Sequence, residues 1–122
     1  MSGTPALKGS PKRVLVVDDD RDMREALTDI LEFEGYVVSC AADGSQALRV
    51  ARADPPHLIL LDLMMPVMSG WQFRAAQRLD PVLSKVPVVV MSAFAHEVEA
   101  AALLPKPFQL GEVLDTIRRL AA

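Results

Sequence analysis

The chain has 122 residues, of which 51% are apolar and 24% are charged, and its formal net charge is −3 at pH 7. This length and balance are typical of one globular domain, and the acidic balance argues against a nucleic-acid or membrane-surface protein. No apolar stretch reaches the roughly 18 residues of a membrane-spanning helix. The single cysteine cannot form an internal disulfide, which favours the cytoplasm as its location.

Short apolar runs alternate along the chain with segments of helical periodicity. Residues 1–11 have little to bury and are predicted to be a flexible tail, and residues 12–122 are predicted to form the domain. In chain order the predicted elements are a strand over Arg13–Val17, a helix with apolar residues from Met23 to Leu31, a strand over Tyr36–Cys40, a helix opened by Asp43 and Gly44, a strand over His57–Leu61, a helix from Ser69 to Leu79, a strand over Val86–Met91, a short helix over Ala95–Ala102, a very short strand at Leu103 and Leu104, and a final helix from Leu110 to Leu120.

This alternation predicts a parallel sheet with helices on both faces, joined by right-handed crossovers. The third strand is apolar throughout, which is typical of a strand buried on both faces. Cys40 lies in the apolar pattern of the second strand and is interpreted as a small core residue.

Polar side chains stand where the predicted strands end. Asp18 and Asp19 follow the first strand, Asp62 the third, Ser92 the fourth and Lys106 the fifth. Because the carboxyl ends of parallel strands meet at one edge of a sheet, these five residues are expected to converge. Clustered carboxylates repel one another unless a cation is present, and hard oxygen ligands match Mg²⁺. A lysine and a hydroxyl beside them match a phosphoryl group.

A simpler interpretation is that the acids are turn or capping residues. For Asp20 and Asp43, each beside the start of a predicted helix, capping is the preferred interpretation. It does not account for five polar residues that all follow predicted strands.

Four segments, VLVVDDD, LLDLMMPVMSG, VVVMSA and PKPF, resemble the motifs of the response-regulator receiver domain of bacterial two-component systems. The resemblance covers residues 12–121, with the motifs in the family's order. It implies a flavodoxin-like (βα)5 three-layer sandwich with parallel strand order 2-1-3-4-5. It also implies a cytoplasmic signalling domain that is not an enzyme beyond slow Mg²⁺-dependent self-phosphorylation and dephosphorylation.

The resemblance also implies site roles. Asp62 would be the phosphoacceptor, taking a phosphoryl group from a sensor histidine kinase or a histidine phosphotransfer protein. Asp19, Asp62 and the backbone carbonyl of Met64 would bind Mg²⁺, and Asp18 would act through a metal-bound water.

Two further roles concern the phosphoryl group itself. Lys106 would pair with a phosphoryl oxygen, and Ser92 would hydrogen-bond the group and so report its presence. The Lys106–Pro107 peptide would be cis.

The chain departs from the family between Ser92 and Lys106, which are only 14 positions apart. The fourth helix and fifth strand are therefore expected to be shortened. Leu103 stands where the family usually has Tyr or Phe three positions before the lysine. Both differences predict an output partner that binds in a non-standard way.

Two alternative functions stay open from the sequence. One is a degenerate receiver that binds proteins without phosphorylation. The other is a haloacid-dehalogenase-like phosphatase, with Asp18 as nucleophile and Asp20 as acid/base. The expected protein is a monomer or weak dimer without nucleic-acid or membrane partners. It would be a stand-alone regulator, a relay intermediate or a receiver from a larger protein.

Overall fold

The computed structural model describes residues 11–93 and 99–121, which form a five-stranded parallel sheet with helices on both faces. The strand order is β2-β1-β3-β4-β5, as predicted. The elements are β1 (Arg13–Val17), α1 (Arg21–Phe33), β2 (Val37–Ala41), α2 (Gly44–Ala53), β3 (Leu58–Asp62), α3 (Gly70–Leu79), a 3₁₀ turn (Leu83–Lys85), β4 (Val88–Met91), β5 (Ala102–Leu104) and α4 (Leu110–Leu120). Within the described ranges, every helix is too short or too polar to cross a membrane.

The central strand β3 is buried along its whole length, which confirms the interpretation of its apolar run. Alternate side chains of a strand point to opposite faces of the sheet. Ile59 and Leu61 therefore pack in the core beneath α2 and α3, whereas Leu58 and Leu60 pack in the core beneath α1 and α4. Burying side chains of this size contributes about 1.5–3 kcal/mol each. The two cores hold the carboxyl end of β3, where Asp62 lies, in a fixed position.

Helices α1 and α2 begin at side-chain caps, which confirms the capping interpretation of two acids. The Asp20 carboxylate accepts hydrogen bonds from the backbone N–H groups of Asp22 and Met23. The Asp43 carboxylate accepts one from the N–H of Gln46. Each cap satisfies helix N–H groups that have no partner within the helix.

The predicted helix over Ala95–Ala102 is wrong in its described part. Residues 95–98 lie outside the described ranges, as do residues 1–10 of the predicted tail. Residues 99–101 are not helical, and Ala102 begins β5. The Ala101 N–H donates to the Val88 carbonyl, so the chain is already hydrogen-bonded to β4 at this point. The described residues accordingly form four α-helices, with the shortening that the sequence predicts.

The interpretation of Cys40 as a core residue is also wrong, because its side chain is exposed. Its strand, β2, is an edge strand of the sheet. The Cys40 Sγ lies 3.3 Å from the Thr28 Oγ1 at the surface of α1. An apolar run does not distinguish an edge strand, which is only partly covered, from a central one.

A matched pair of glycine substitutions tests how α3 is seated against β3. The Gly70 N–H donates to the Leu63 carbonyl, and a Cβ at Gly70 would overlap the Asp62 carbonyl oxygen. The atoms nearest to this Cβ, the Asp62 carbonyl oxygen and the Leu63 Cα, belong to the backbone, so we expect Gly70→Ala to lower the free energy of unfolding by about 1–3 kcal/mol. Gly111, in α4, has nothing within 4 Å of its added Cβ. We expect Gly111→Ala to raise that free energy by up to about 1 kcal/mol. Urea unfolding of both variants measures these changes. Equal changes in the free energy of unfolding would contradict the packing described.

The pH dependence of stability tests the contact between β1 and His57. The His57 Nδ1 accepts a hydrogen bond from the Arg13 N–H at 2.8 Å. Burial lowers the pKa of His57, and the charges of Arg13 and Lys12 lower it further. The unfolded chain therefore binds more protons below about pH 6.5, so folding loses stability as the pH falls through this value. We expect His57→Gln to lose less stability than the wild type between about pH 7.5 and about pH 5 in urea titrations. Parallel curves would show that His57 is not held in its neutral form.

Candidate functional site

Three carboxylates meet at the carboxyl edge of the sheet, as the sequence predicts. Asp18 directly follows β1, Asp19 comes next, and Asp62 is the last residue of the neighbouring strand β3. One carboxylate oxygen from each residue lies within 4.8 Å of the others. Asp18 and Asp62 are buried, whereas Asp19 is exposed. The cluster therefore opens to solvent on the Asp19 side.

Asp18 is held by hydrogen bonds on all sides. Its N–H donates to the Ala41 carbonyl, and its own carbonyl accepts from the Arg24 guanidinium at 2.8 Å. One of its carboxylate oxygens accepts from the Asp20 N–H and the other from the Lys106 ammonium, each at 2.9 Å. Both oxygens are thus already engaged by the protein.

Arg24 is a site-supporting residue that the sequence reasoning missed. It lies one turn into α1 and reaches back to the loop that carries the acids. The available signal was an arginine four positions after the capping residue Asp20, on a helix preceded by three acids. Helical geometry turns a side chain toward the N-terminus, where Arg24 meets the loop.

Lys106 brings positive charge to the cluster. Its Nζ lies 2.9 Å from Asp18 Oδ2 and 3.7 Å from Asp62 Oδ1. Burial lowers the pKa of Lys106, but the hydrogen bond and charge of Asp18, with the charge of Asp62, outweigh it and raise the pKa overall. The lysine is therefore cationic at neutral pH. The Lys106–Pro107 peptide is cis, as the resemblance implies.

Asp62 is the carboxylate with the most strongly altered proton affinity among the described residues. Burial raises the pKa of Asp62 to about 6, and the charges of Asp18 and Asp19 act in the same direction. The charge of Lys106 and a hydrogen bond from the Met64 N–H oppose this shift. The site brings three carboxylates together beside one ammonium, which favours binding of a further cation.

Ser92 and Met64 border the cluster. Asp62 is paired in register with Met91, so Ser92 lies one residue beyond that pair on β4. Ser92 is buried, and its carbonyl accepts a hydrogen bond from the Lys106 N–H at 3.2 Å. The Met64 side chain is exposed at the mouth of the site.

The geometry does not favour the phosphatase alternative. Asp20 would have to exchange protons with a substrate, but its carboxylate caps α1. Asp18 would have to attack phosphorus, but it is fully buried and both of its oxygens accept hydrogen bonds. Asp62, by contrast, has a carboxylate oxygen within 4.8 Å of one from the exposed Asp19, and its Oδ1 lies 3.7 Å from the ammonium of Lys106.

Comparison with known proteins agrees with this geometry. The family model described as "Response regulator receiver domain" matches residues 14–118. The response regulator MprA of Mycolicibacterium vanbaalenii is 39% identical over 118 residues, which cover 90% of this chain and 50% of that protein. MprA of Mycobacterium ulcerans is 39% identical over 116 residues, covering 88% of this chain and 49% of that protein. The chain thus spans about half the length of the curated relatives it matches.

Solved structures give the same result. The chemotaxis response regulator CheY4 of Vibrio cholerae superposes with a TM-score of 0.84 at 31% identity, covering 91% of this chain and 99% of that one. The receiver domain of the sensor histidine kinase PA1611 of Pseudomonas aeruginosa gives a TM-score of 0.85 at 26% identity, covering 92% of this chain and 98% of that one. That structure holds a magnesium ion coordinated in its active site cleft.

The raised pKa of Asp62 has a measurable consequence for stability in the metal-free protein. The folded state binds more protons than the unfolded state between about pH 4 and about pH 6, so stability falls as the pH rises through this range. We expect Asp62→Asn, in EDTA, to remove this fall and to raise the free energy of unfolding at neutral pH by about 1–3 kcal/mol. The exposed Asp29, substituted in the same way, is the matched control and should leave the curve unchanged. If Asp62→Asn and Asp29→Asn behave alike, Asp62 carries no electrostatic strain.

Proposed function

The chain belongs to the response regulator receiver domain family, whose standard role is a phosphorylation-dependent switch, and we propose that Asp62 is its phosphoacceptor. The observation that carries this proposal is the position of the Asp62 carboxylate at one edge of the sheet, beside two further carboxylates and 3.7 Å from the ammonium of Lys106. The proposed donor is the phosphohistidine of a sensor histidine kinase or of a histidine phosphotransfer protein.

The transfer needs positioning and charge neutralisation more than covalent help from the protein. One carboxylate oxygen of Asp62 forms a bond to phosphorus while the P–N bond of the donor phosphohistidine breaks. The electron pair of that bond stays on the imidazole nitrogen. Lys106, 3.7 Å from Asp62, is placed to pair with a phosphoryl oxygen after transfer. It then exchanges part of its contact with Asp18 for the new negative charge.

The donor set fits Mg²⁺, because carboxylate and carbonyl oxygens are the ligands that this ion prefers. Asp19, Asp62 and the backbone carbonyl of Met64 would hold it directly. Asp18 would act through water, since both of its carboxylate oxygens already accept hydrogen bonds. When bound, Mg²⁺ supplies positive charge to the phosphoryl oxygens. The magnesium ion in the active site cleft of the Pseudomonas receiver supports this assignment.

Ser92 is proposed to hydrogen-bond the phosphoryl group. It is buried one position beyond the register partner of Asp62, and its carbonyl is bonded to the Lys106 N–H. A shift of Ser92 toward the phosphoryl group is therefore connected to the residue that neutralises the group. Self-phosphorylation from a small-molecule donor and slow Mg²⁺-dependent loss of the phosphoryl group are part of the same proposal.

Intact-mass spectrometry after incubation with acetyl phosphate tests the function. We expect the wild type to gain one phosphoryl group when Mg²⁺ is present and none in EDTA, because uncompensated carboxylates repel the anionic donor. Asp62→Asn should gain none, whereas Asp54→Asn, an exposed acid outside the site, should match the wild type.

Other outcomes would contradict the proposal in distinct ways. An adduct that persists in Asp62→Asn would place the acceptor elsewhere, with Asp18 the next residue to substitute. Failure of the wild type to gain a phosphoryl group from acetyl phosphate and also from a panel of phosphorylated histidine kinases would favour the degenerate receiver.

A further inference from the structure

The connection between β4 and β5, residues 92–101, is short for a parallel crossover. Ten residues separate Met91 from Ala102, close to the minimum of about 10–12 residues for such a connection. Its described residues contain no helix. The described far end of the connection, residues 99–101, is therefore fixed against the rest of the domain by contacts outside a helix.

Arg74 of α3 makes that contact. Its Nη2 donates to the backbone carbonyl of Glu99 at 2.9 Å, and its Nη1 donates to the side-chain carbonyl of Gln77. Gln77 is fully buried, and its amide donates to the carbonyls of Leu83 and Val86, which precede β4. Arg74 and Gln77 thus join α3 to the chain on both sides of β4.

The contact of Arg74 differs in kind from the ion pair that Arg78 forms on the same helix. Arg78 pairs with the Glu99 carboxylate at 3.1 Å, and both side chains are largely exposed. Exposed ion pairs contribute little, about 0–1 kcal/mol. The Arg74 guanidinium is half-buried and binds the backbone of residue 99, so its position depends on the path of the chain and not on a mobile side chain.

These contacts close a ring that passes through the phosphorylation site. The start of α3 is seated on the backbone of Asp62 at Gly70, and Arg74 lies one turn further along. From Glu99 the chain continues to Ala101, whose N–H donates to Val88 at the start of β4. The other end of β4 carries Ser92, beside Asp62.

We infer that Arg74 is a positioning residue that couples the phosphorylation state of Asp62 to the backbone of residues 99–104. This inference rests on the proposed function, because a bond between Ser92 and the phosphoryl group would add a second link between Asp62 and the end of β4 to the pairing of β3 with β4. Strengthening one link of a closed ring of contacts stabilises the other links, including the pairing of β5 with β4. Without Arg74 the ring is open, and the phosphoryl group affects Ser92 without ordering residues 99–104.

Amide hydrogen exchange of the full chain tests the coupling, with Mg²⁺ and beryllofluoride as the phosphoryl analogue. We expect the analogue to slow exchange over residues 99–104 about fivefold or more in the wild type, the lower end of typical coupling between sites. In Arg74→Met this slowing should be lost although the analogue still binds, as ¹⁹F NMR would show. Arg78→Met and Glu99→Ala are matched controls that remove the exposed ion pair and keep the Arg74 bond; both should behave as the wild type. Arg74→Lys, which keeps the charge, should recover part of the slowing.

The outcomes separate this inference from the proposed function. If the analogue binds and exchange over residues 99–104 slows equally in Arg74→Met, or does not slow in the wild type, the coupling is overturned and the phosphoacceptor role stands. If no bound fluoride signal forms in the wild type, both are overturned. Should Arg74→Met fail to fold, full slowing in Arg74→Gln would overturn the coupling, and lost slowing would support it.

Discussion

The contact between Lys106 and the two buried carboxylates is the constraint on which the site depends. Asp18, Asp19 and Asp62 each place an oxygen within 4.8 Å of the others, an arrangement that costs free energy in the absence of cations. Lys106 offsets part of that cost from a position just beyond the edge strand β5. The site is therefore complete only when the last strand of the sheet has paired, which links the charge balance to the whole topology.

The charge balance of the site therefore depends on how firmly β5 is attached to the rest of the domain. β5 has three residues, and Leu103 on it is exposed where the family usually carries an aromatic ring. A short edge strand contributes few ladder hydrogen bonds, so its position relies on contacts outside the ladder. The hydrogen bonds of Lys106 to Ser92 and of Arg74 to Glu99 are such contacts, one on each side of β5.

Much of the fold followed from local patterns in the sequence. The apolar run before Asp62 predicted a buried strand, and the capping residues Asp20 and Asp43 marked helix starts within a residue or two. The convergence of Asp18, Asp19 and Asp62 also followed, because parallel strands bring their carboxyl ends to one edge. Other expectations failed where the answer lay in distant residues. The exposure of Cys40 depends on β2 being an edge strand, and the non-helical path of residues 99–101 depends on α3 and β4.

The sequence by itself determined the order of the elements and the residue types at the strand ends, because hydrophobic periodicity and turn chemistry act over a few neighbouring positions. Only the tertiary structure decided which partners those side chains have. Arg24 holds the loop of the acids and Arg74 holds the end of the β4–β5 connection, each through a carbonyl on another element. Every residue has the same backbone carbonyl, so the amino-acid sequence does not indicate which carbonyl a given side chain will bind. Such contacts are visible only once the chain has been folded into its sheet.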